Sequence, residues 1–215
     1  MIKKQVYPKT KRVKVKNEKI CQLTEKLDGS NLCVFKKDNI LYIAQRNNIY
    51  SINELEDVKD IMYKGLYKWI NDYKDYLLEN LQPNSCICGE WLGMGCLKYD
   101  SEEFDKKFYM FAKANINDQF ELSNIYYYHE LFIYPFVNQE IPDFIGVVPI
   151  VSELDIIPNK NDLDDIYDCY RSCKNRDVEG IIVNYNNNIS KYVRMKNGQL
   201  QEHFDRGEIK WIEKN

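Results

Sequence analysis

The chain has 215 residues, 44% of them hydrophobic and 29% charged, with a formal net charge of −3. That is enough chain for one substantial core, and the charge excludes a protein that is basic throughout and holds nucleic acid by bulk attraction. No apolar run approaches the ~20 residues of a bilayer span, and Met1-Ile2-Lys3-Lys4 leads into charge rather than an apolar stretch. Neither a membrane span nor a secretory signal is therefore expected, and the expected location is the cytoplasm, or the host cytoplasm for a viral or phage protein.

In chain order, a basic arm comes first. Lys3, Lys4, Lys9, Lys11, Arg12, Lys14 and Lys16 precede the first acid, Glu18. Residues 1–18 thus form either a solvated arm or a local strip for a phosphate backbone. Ile20–Leu23 and Leu32–Phe35 read as strands on either side of a turn. Ile40–Ala44 is a third strand, reached through Lys36-Lys37-Asp38-Asn39. Ser51 with Glu54 reads as a capping box opening a long helix, in which Leu55, Val58, Ile61, Met62, Leu66, Trp69, Ile70, Tyr73 and Leu77 share a face. Pro83 stops it. Cys86–Trp91 and Phe108–Ala112 read as strands, Ser123–Phe132 and Asp162–Cys173 as helices. Val178–Tyr185 and Ser190–Arg194 form a last strand pair around Asn186-Asn187-Asn188. With no repeats or linkers, residues 1–215 read as a single α+β domain.

Four segments carry chemistry. Glu25-Lys26-Leu27-Asp28-Gly29-Ser30-Asn31 sets a lysine beside a carboxylate and a tight turn. A lysine amine titrates near ~10.4, so holding one neutral at physiological pH costs about 4 kcal/mol, which burial, neighbouring cations or a metal must supply. Asp28 suits orienting the lysine or a metal-bound water, although Asp-Gly is also a common surface turn. In Cys88-Gly89-Glu90-Trp91-Leu92-Gly93, Glu90 ends an apolar strand, where an ion needs a partner. Glu90 suits a ribose or a metal. Glu179, before the strand Gly180-Ile181-Ile182-Val183, suits a divalent metal or an orienting role near the lysine. In Lys191-Tyr192-Val193-Arg194-Met195-Lys196, strand alternation puts Arg194 and Lys196 on one face, where two cations neutralise a triphosphate or simply pair with acids.

The seven cysteines are odd in number and scattered, which fits reduced thiols. Cys86-x-Cys88 has no second pair at zinc spacing, and Cys169 and Cys173 share a helical face, so zinc is not expected. His129 and His203 read as structural or surface residues. The Tyr126-Tyr127-Tyr128 run reads as part of a helix.

The order and wording of these segments resemble the covalent nucleotidyltransferase superfamily of ligases and capping enzymes. Glu25 to Asn31 resembles its motif I, Gln45-Arg46-Asn47-Asn48 the position of a phosphate- or substrate-contacting arginine, Gly89-Glu90-Trp91-Leu92-Gly93 motif III, Phe108-Tyr109-Met110-Phe111 motif IIIa, Glu179-Gly180 motif IV and Arg194-Met195-Lys196 motif V. The wording of motif III, Asn31, and the Asn197 to Glu202 stretch are closest to the RNA ligase 2-like branch; Arg194 departs from it, since that branch usually has lysine there.

The resemblance implies an α+β nucleotidyltransferase domain of antiparallel sheets packed with helices around a nucleotide cleft. It implies an ATP-dependent RNA ligase that uses Mg2+ or Mn2+, forms lysyl-AMP on Lys26, and joins 5′-phosphate to 3′-hydroxyl ends. Lys26, Arg194 and Lys196 are the implied catalytic residues. Thr24, Glu25, Asn31, Arg46, Glu90, Phe111 and Glu179 join them around the nucleotide, Glu90 on the ribose and Phe111 on adenine. Glu179, Asp28 and Glu90 are the implied metal ligands. RNA ends, a nicked duplex or an RNA–DNA hybrid are the implied partners. No C-terminal oligonucleotide-binding or helical domain is expected before Asn215, so a helper protein in its place is also an expectation. A minimal DNA ligase, a GTP-using capping guanylyltransferase, and a nucleotide- or end-binding module without turnover are the alternatives.

Overall fold

A computed structural model describes residue 7 and residues 21–57, 61–93, 95–127, 135–185, 188–196 and 199–200. Apart from Tyr7, the basic arm lies outside the described residues, as do both histidines. The described chain divides into two compact units. The first holds Gly29–Gly95 and Tyr99–Val147, joined by Tyr7; the second holds the stretch ending at Asp28, Cys96–Lys98, and the chain from Val148 onward.

The second unit is built on a four-stranded antiparallel sheet. Its strands are β1 (Cys21–Lys26), β9 (Ile150–Leu154), β10 (Gly180–Tyr185) and β11 (Asn188–Val193), in the spatial order β11-β10-β1-β9. The helix α2 (Lys160–Lys174) packs on one face, and Cys21, Leu23, Leu163, Tyr167, Val178, Ile181, Val183 and Tyr192 are buried together there. Odd residues of β1 and β10 enter this core because strand side chains alternate faces. A capping box starts α2. The Asn159 side chain accepts from the N–H groups of Asn161 and Asp162, and Asp162 accepts from Asn159 N–H. The expected helix Asp162–Cys173 therefore lies inside α2.

The first unit holds a larger sheet of β2 (Ser30–Lys37), β3 (Ile40–Ala44), β4 (Ile49–Ser51), β5 (Ser85–Trp91), β6 (Phe108–Ile116) and β7 (Leu122–Tyr126), in the order β4-β3-β2-β5-β6-β7. A short strand β8 (Ile145–Val147) runs parallel to β6. Both faces are covered. Leu32 and Val34 of β2 face the core under α1 (Leu66–Asn80), with Trp69, Ile70, Leu77, Ile87 and Trp91. Cys33 and Phe35 of the same strand face a second core with Cys86, Cys88, Ala112 and Ala114. A sheet buried on both sides reads as a continuous apolar run, which is how Leu32–Phe35 looks in the sequence.

Two sequence expectations fail here. The long helix from Ser51 does not form. Ile52–Asp57 and Ile61–Tyr63 are 3-10 turns, and α1 starts only after Gly65, whose φ of 86° is left-handed. A left-handed residue ends the right-handed run. Glu54 makes only half of a capping box, accepting from both the N–H and the hydroxyl of Ser51. The second failure is at Ser123–Phe132. Leu122–Tyr126 is the strand β7, and residues 128–134 lie outside the described set. The Asn117 side chain accepts from the N–H groups of Gln119 and Glu121, closing a β6–β7 hairpin turn that overrides the helical spacing. Two further strand pieces, β12 (Met195–Lys196) and β13 (Gln199–Leu200), pair after β11.

Trp91 is fully buried and meets Trp69 edge-on at a centroid distance of 5.7 Å. Trp91→Ala is expected to lower unfolding stability by about 3–5 kcal/mol, measured as a shift of the urea midpoint at unchanged slope.

Candidate active site

The alternation of β1 decides what each motif I residue does. Cys21, Leu23 and Glu25 turn toward α2, while Gln22, Thr24 and Lys26 turn to the opposite face. Lys26 Nζ lies 2.5 Å from Glu179 Oε2, and both side chains are mostly but not fully buried, at 22% and 16% exposure. Lys26 is the register partner of Gly180, the first residue of β10, so Glu179 sits one step before that pairing. Gly180 has to lack a side chain: a Cβ there would come within 2.1 Å of the Tyr192 carbonyl oxygen. The Glu179 carbonyl accepts from both Arg194 N–H and Met195 N–H, at 3.0 and 2.9 Å. One oxygen thus ties motif IV to motif V.

Burial pushes the Glu179 carboxyl above its usual range, and the Lys26 charge pulls it back. Asp28 pushes it up further and Lys191 pulls it down, so two acids and two cations gather at this point of the second unit. Lys191 shares a row with Ile182 and Thr24 on the face of Lys26. The sequence reading passed over Lys191; the alternation that places Lys26 would have found it. Asp28 Oδ2 also accepts from Cys96 N–H and Leu97 N–H, at 2.5 and 2.7 Å, pinning the Cys96–Lys98 segment.

Glu25 differs from the expectation of a nucleotide contact. Its side chain is fully buried and faces α2. Arg176 Nη1 and Nη2 donate to its two oxygens at 2.7 Å each, and the Tyr170 hydroxyl donates at 2.8 Å. Both oxygens are spent inside the unit, so Glu25 anchors β1. Nothing local foretells Arg176, which is 151 positions away in the chain.

Arg194 also differs. The strand breaks at this residue, so Arg194 and Lys196 do not share one face of one strand. Arg194 lies on the parity of Tyr192, toward α2. Its guanidinium sits over the Tyr167 ring at 5.2 Å and approaches Asp164 and Asp168 at 3.4 and 3.3 Å. Those acids are one helical turn apart on α2, and Tyr192 OH donates to Asp164. Arg194 is thus committed to α2, away from the face of Lys26. Lys196 lies exposed in β12.

Asn31, Arg46, Glu90 and Phe111 belong to the first unit. Asn31 and Glu90 are direct cross-strand partners on β2 and β5 and share a sheet face. The Asn31 carbonyl accepts from Tyr63 OH at 2.8 Å. Gly29 lets the end of β5 close over the turn, since a Cβ there would meet the Trp91 carbonyl oxygen at 2.6 Å and Glu90 Cγ at 2.9 Å. Phe111 is the extra residue of a β-bulge, because Cys88 pairs with Ala112 while Gly89 pairs with Met110. Tyr7 meets Phe111 edge-on at 5.3 Å. Arg46 is exposed in the turn closed by Gln45 N–H to the Asn48 carbonyl.

The structure therefore brings together Lys26, Asp28 and Glu179 in one unit, and Asn31 with Glu90 in the other. A family model described as RNA ligase matches residues 19–197, most of the chain. The chain belongs to the RNA ligase family. No curated protein matches it. Among solved structures it is similar to a Naegleria gruberi RNA ligase point mutant in the apo state, at 15% identity and a TM-score of 0.50, over 95% of this chain and 61% of that one. A second apo mutant of that ligase matches at 16% identity and a TM-score of 0.49, over 88% of this chain and 58% of that one. The same ligase with PPi matches at 19% and 0.47, over 87% and 52%. The chain spans about half to three fifths of these ligases, and at 15% identity the match with a TM-score of 0.50 speaks to fold alone.

Two outcomes follow from this geometry. Arg176→Met leaves Glu25 buried without its cation, held by the Tyr170 hydroxyl alone of the donors described above, and is expected to cost about 3–5 kcal/mol by chemical denaturation, with Glu25→Leu in the same chain restoring most of it. Glu179 is expected to take up its proton above the ordinary 4.5. Its charged form therefore weighs against the fold, and the stability it adds on protonation is complete in acid and lost as pH rises through the raised value. Carboxyl 13C titration, assigned with Glu179→Gln, measures that midpoint, and Lys26→Met should move it still higher.

Proposed function

We propose that this chain is an ATP-dependent RNA ligase that works through a lysyl-AMP intermediate. The observation that carries the reading is the Lys26–Glu179 pair: an amine held at hydrogen-bond distance from a carboxylate whose burial makes it a better base. In the first step Lys26 passes a proton to Glu179. Its nitrogen then bonds to the α-phosphorus of ATP, and the bond from that phosphorus to the pyrophosphate oxygen breaks. In the second step a 5′-phosphate oxygen takes the AMP, and the phosphorus–nitrogen bond breaks. In the third a 3′-hydroxyl attacks the activated 5′-phosphate, the phosphodiester forms, and AMP leaves.

The donor set suits a hard divalent ion. Asp28 is close enough to Glu179 to raise the cost of ionising it, and oxygen donors are what Mg2+ and Mn2+ take. When bound, such an ion supplies positive charge to phosphate oxygens. Lys196 and Lys191 are assigned to phosphates, with Arg46 as a further cation for the same charge. Glu90 is assigned to the ribose and Phe111 to adenine. Asn31 is assigned to phosphate or to the turn after Lys26, and Thr24 borders the same strand face as the lysine. Arg194 is assigned a positioning role, holding the motif V backbone against α2.

The decisive measurement is intact mass after incubation with ATP and a divalent ion. Wild type is expected to gain one AMP, and Lys26→Ala none with its fold intact. Glu179→Gln is expected to form the adduct roughly 10²-fold or more slowly. An adduct with GTP alone would point to a capping enzyme. Sealing of nicked DNA but not of nicked RNA or an RNA–DNA hybrid would point to a DNA ligase. Retained ATP binding with no adduct in wild type would leave a binding module.

A further inference from the structure

The second core of the first unit contains a cluster that the ligase reading does not use. Cys33 on β2 is the direct cross-strand partner of Cys88 on β5, and Cys86 lies two residues before Cys88 on the same sheet face. The three sulfurs lie within 4.8 Å of one another; Cys33 Sγ is 3.0 Å from Cys88 Sγ, which is 3.7 Å from Cys86 Sγ. All three residues are fully buried. The sequence shows only Cys86-x-Cys88; pairing of β2 with β5 supplies the third thiol from 53 positions upstream of the nearer one, too far for any spacing rule to reveal.

We propose that Cys33, Cys86 and Cys88 form a three-thiolate site that captures a single trivalent thiophilic ion of the arsenite class. Bonds from sulfur to a metal of about 2.3 Å put sulfurs up to about 4 Å apart around a three-coordinate centre, the scale seen here. Zinc in such sites takes four ligands, and the cluster offers three among the described residues. Charge decides between the remaining ions. Three thiolates leave a monovalent ion at net −2 and a divalent ion at −1, and a buried net charge is costly. With a trivalent centre the complex is neutral. Capture from arsenous acid also balances without a redox partner: three As–S bonds form, three As–O bonds break, and three waters carry away the thiol protons.

The thiols already interact as a group. The Cys33 thiol donates to Cys88 Sγ, and Cys86 Sγ lies against the same sulfur, so Cys88 already touches both of the others. The cluster also lies on the sheet face that carries Asn31 and Glu90, two residues further along, or about 7 Å. Phe111 and Tyr7 pack against this same core. Resting on the ATP reading above, a loaded site behind Phe111 is expected to weaken ATP binding several-fold.

The test is intact native mass of the reduced full chain after incubation with arsenite, followed by arsenic X-ray absorption. One arsenic replacing three hydrogens is expected, with three sulfur neighbours. Uptake is expected to be slow, because fully buried thiols react only through local opening. Cys33→Ala, Cys86→Ala and Cys88→Ala should each abolish three-sulfur capture, with circular dichroism confirming the fold. Replacing the exposed Cys96, Cys169 and Cys173 with serine should leave it intact. If a core variant fails to fold, the sulfur count on wild type decides alone. Two sulfur neighbours, or uptake that follows the exposed thiols, overturns the proposal. AMP-adduct formation by unloaded protein is scored separately, so failure of the ligase reading does not touch the binding result.

Discussion

The buried pair of Glu25 with Arg176 sets the rest of the site. A fully buried carboxylate without a partner is untenable, and Arg176 supplies a two-pronged one, with Tyr170 adding a third donor. Once Glu25 is fixed toward α2, the period of a strand leaves its neighbours no choice. Lys26 and Thr24 must project from the other face. The lysine is aimed by a side chain that points to the opposite face of its own strand.

Glu179 then acts at two levels. Its side chain meets Lys26, and its carbonyl takes both N–H groups of Arg194 and Met195, so the position of the acid and the path of the chain through motif V are a single arrangement. The double acceptance ends β11 and turns Arg194 toward Asp164 and Asp168. A cation between two acids and over a tyrosine ring holds helix and strand together. Arginine's planar fork suits that job better than a lysine would. This gives a physical reason for the departure from the lysine usual at this place in the resembling branch.

In the first unit, close approach is the governing constraint. β2 and β5 bury both faces, so Leu32 and Val34 serve one core while Cys33 and Phe35 serve another. The turn at Gly29 fits only because no side chain competes with the end of β5. The bulge at Phe111 re-aims an aromatic side chain toward Tyr7 and the thiol core.

What the sequence by itself determined was local chemistry and the order of motifs. The Lys26, Glu90 and Glu179 segments, the strands around them and the helix near Asp162 were legible because strand alternation, Gly turns and an N-cap are short-range signals. Their order also sufficed for the family. The helix expected from Ser51 was misread because one left-handed glycine, Gly65, outweighs a good apolar spacing, and the strand Leu122–Tyr126 was misread because a hairpin turn did. Only tertiary structure decided that Glu25 is an anchor, that Arg194 belongs to α2, and that Cys33 completes a cluster with Cys86 and Cys88. Each of those outcomes depends on a partner 26 to 151 positions away. Side chains so distant in the chain meet through strand register and helix packing, which no local pattern encodes.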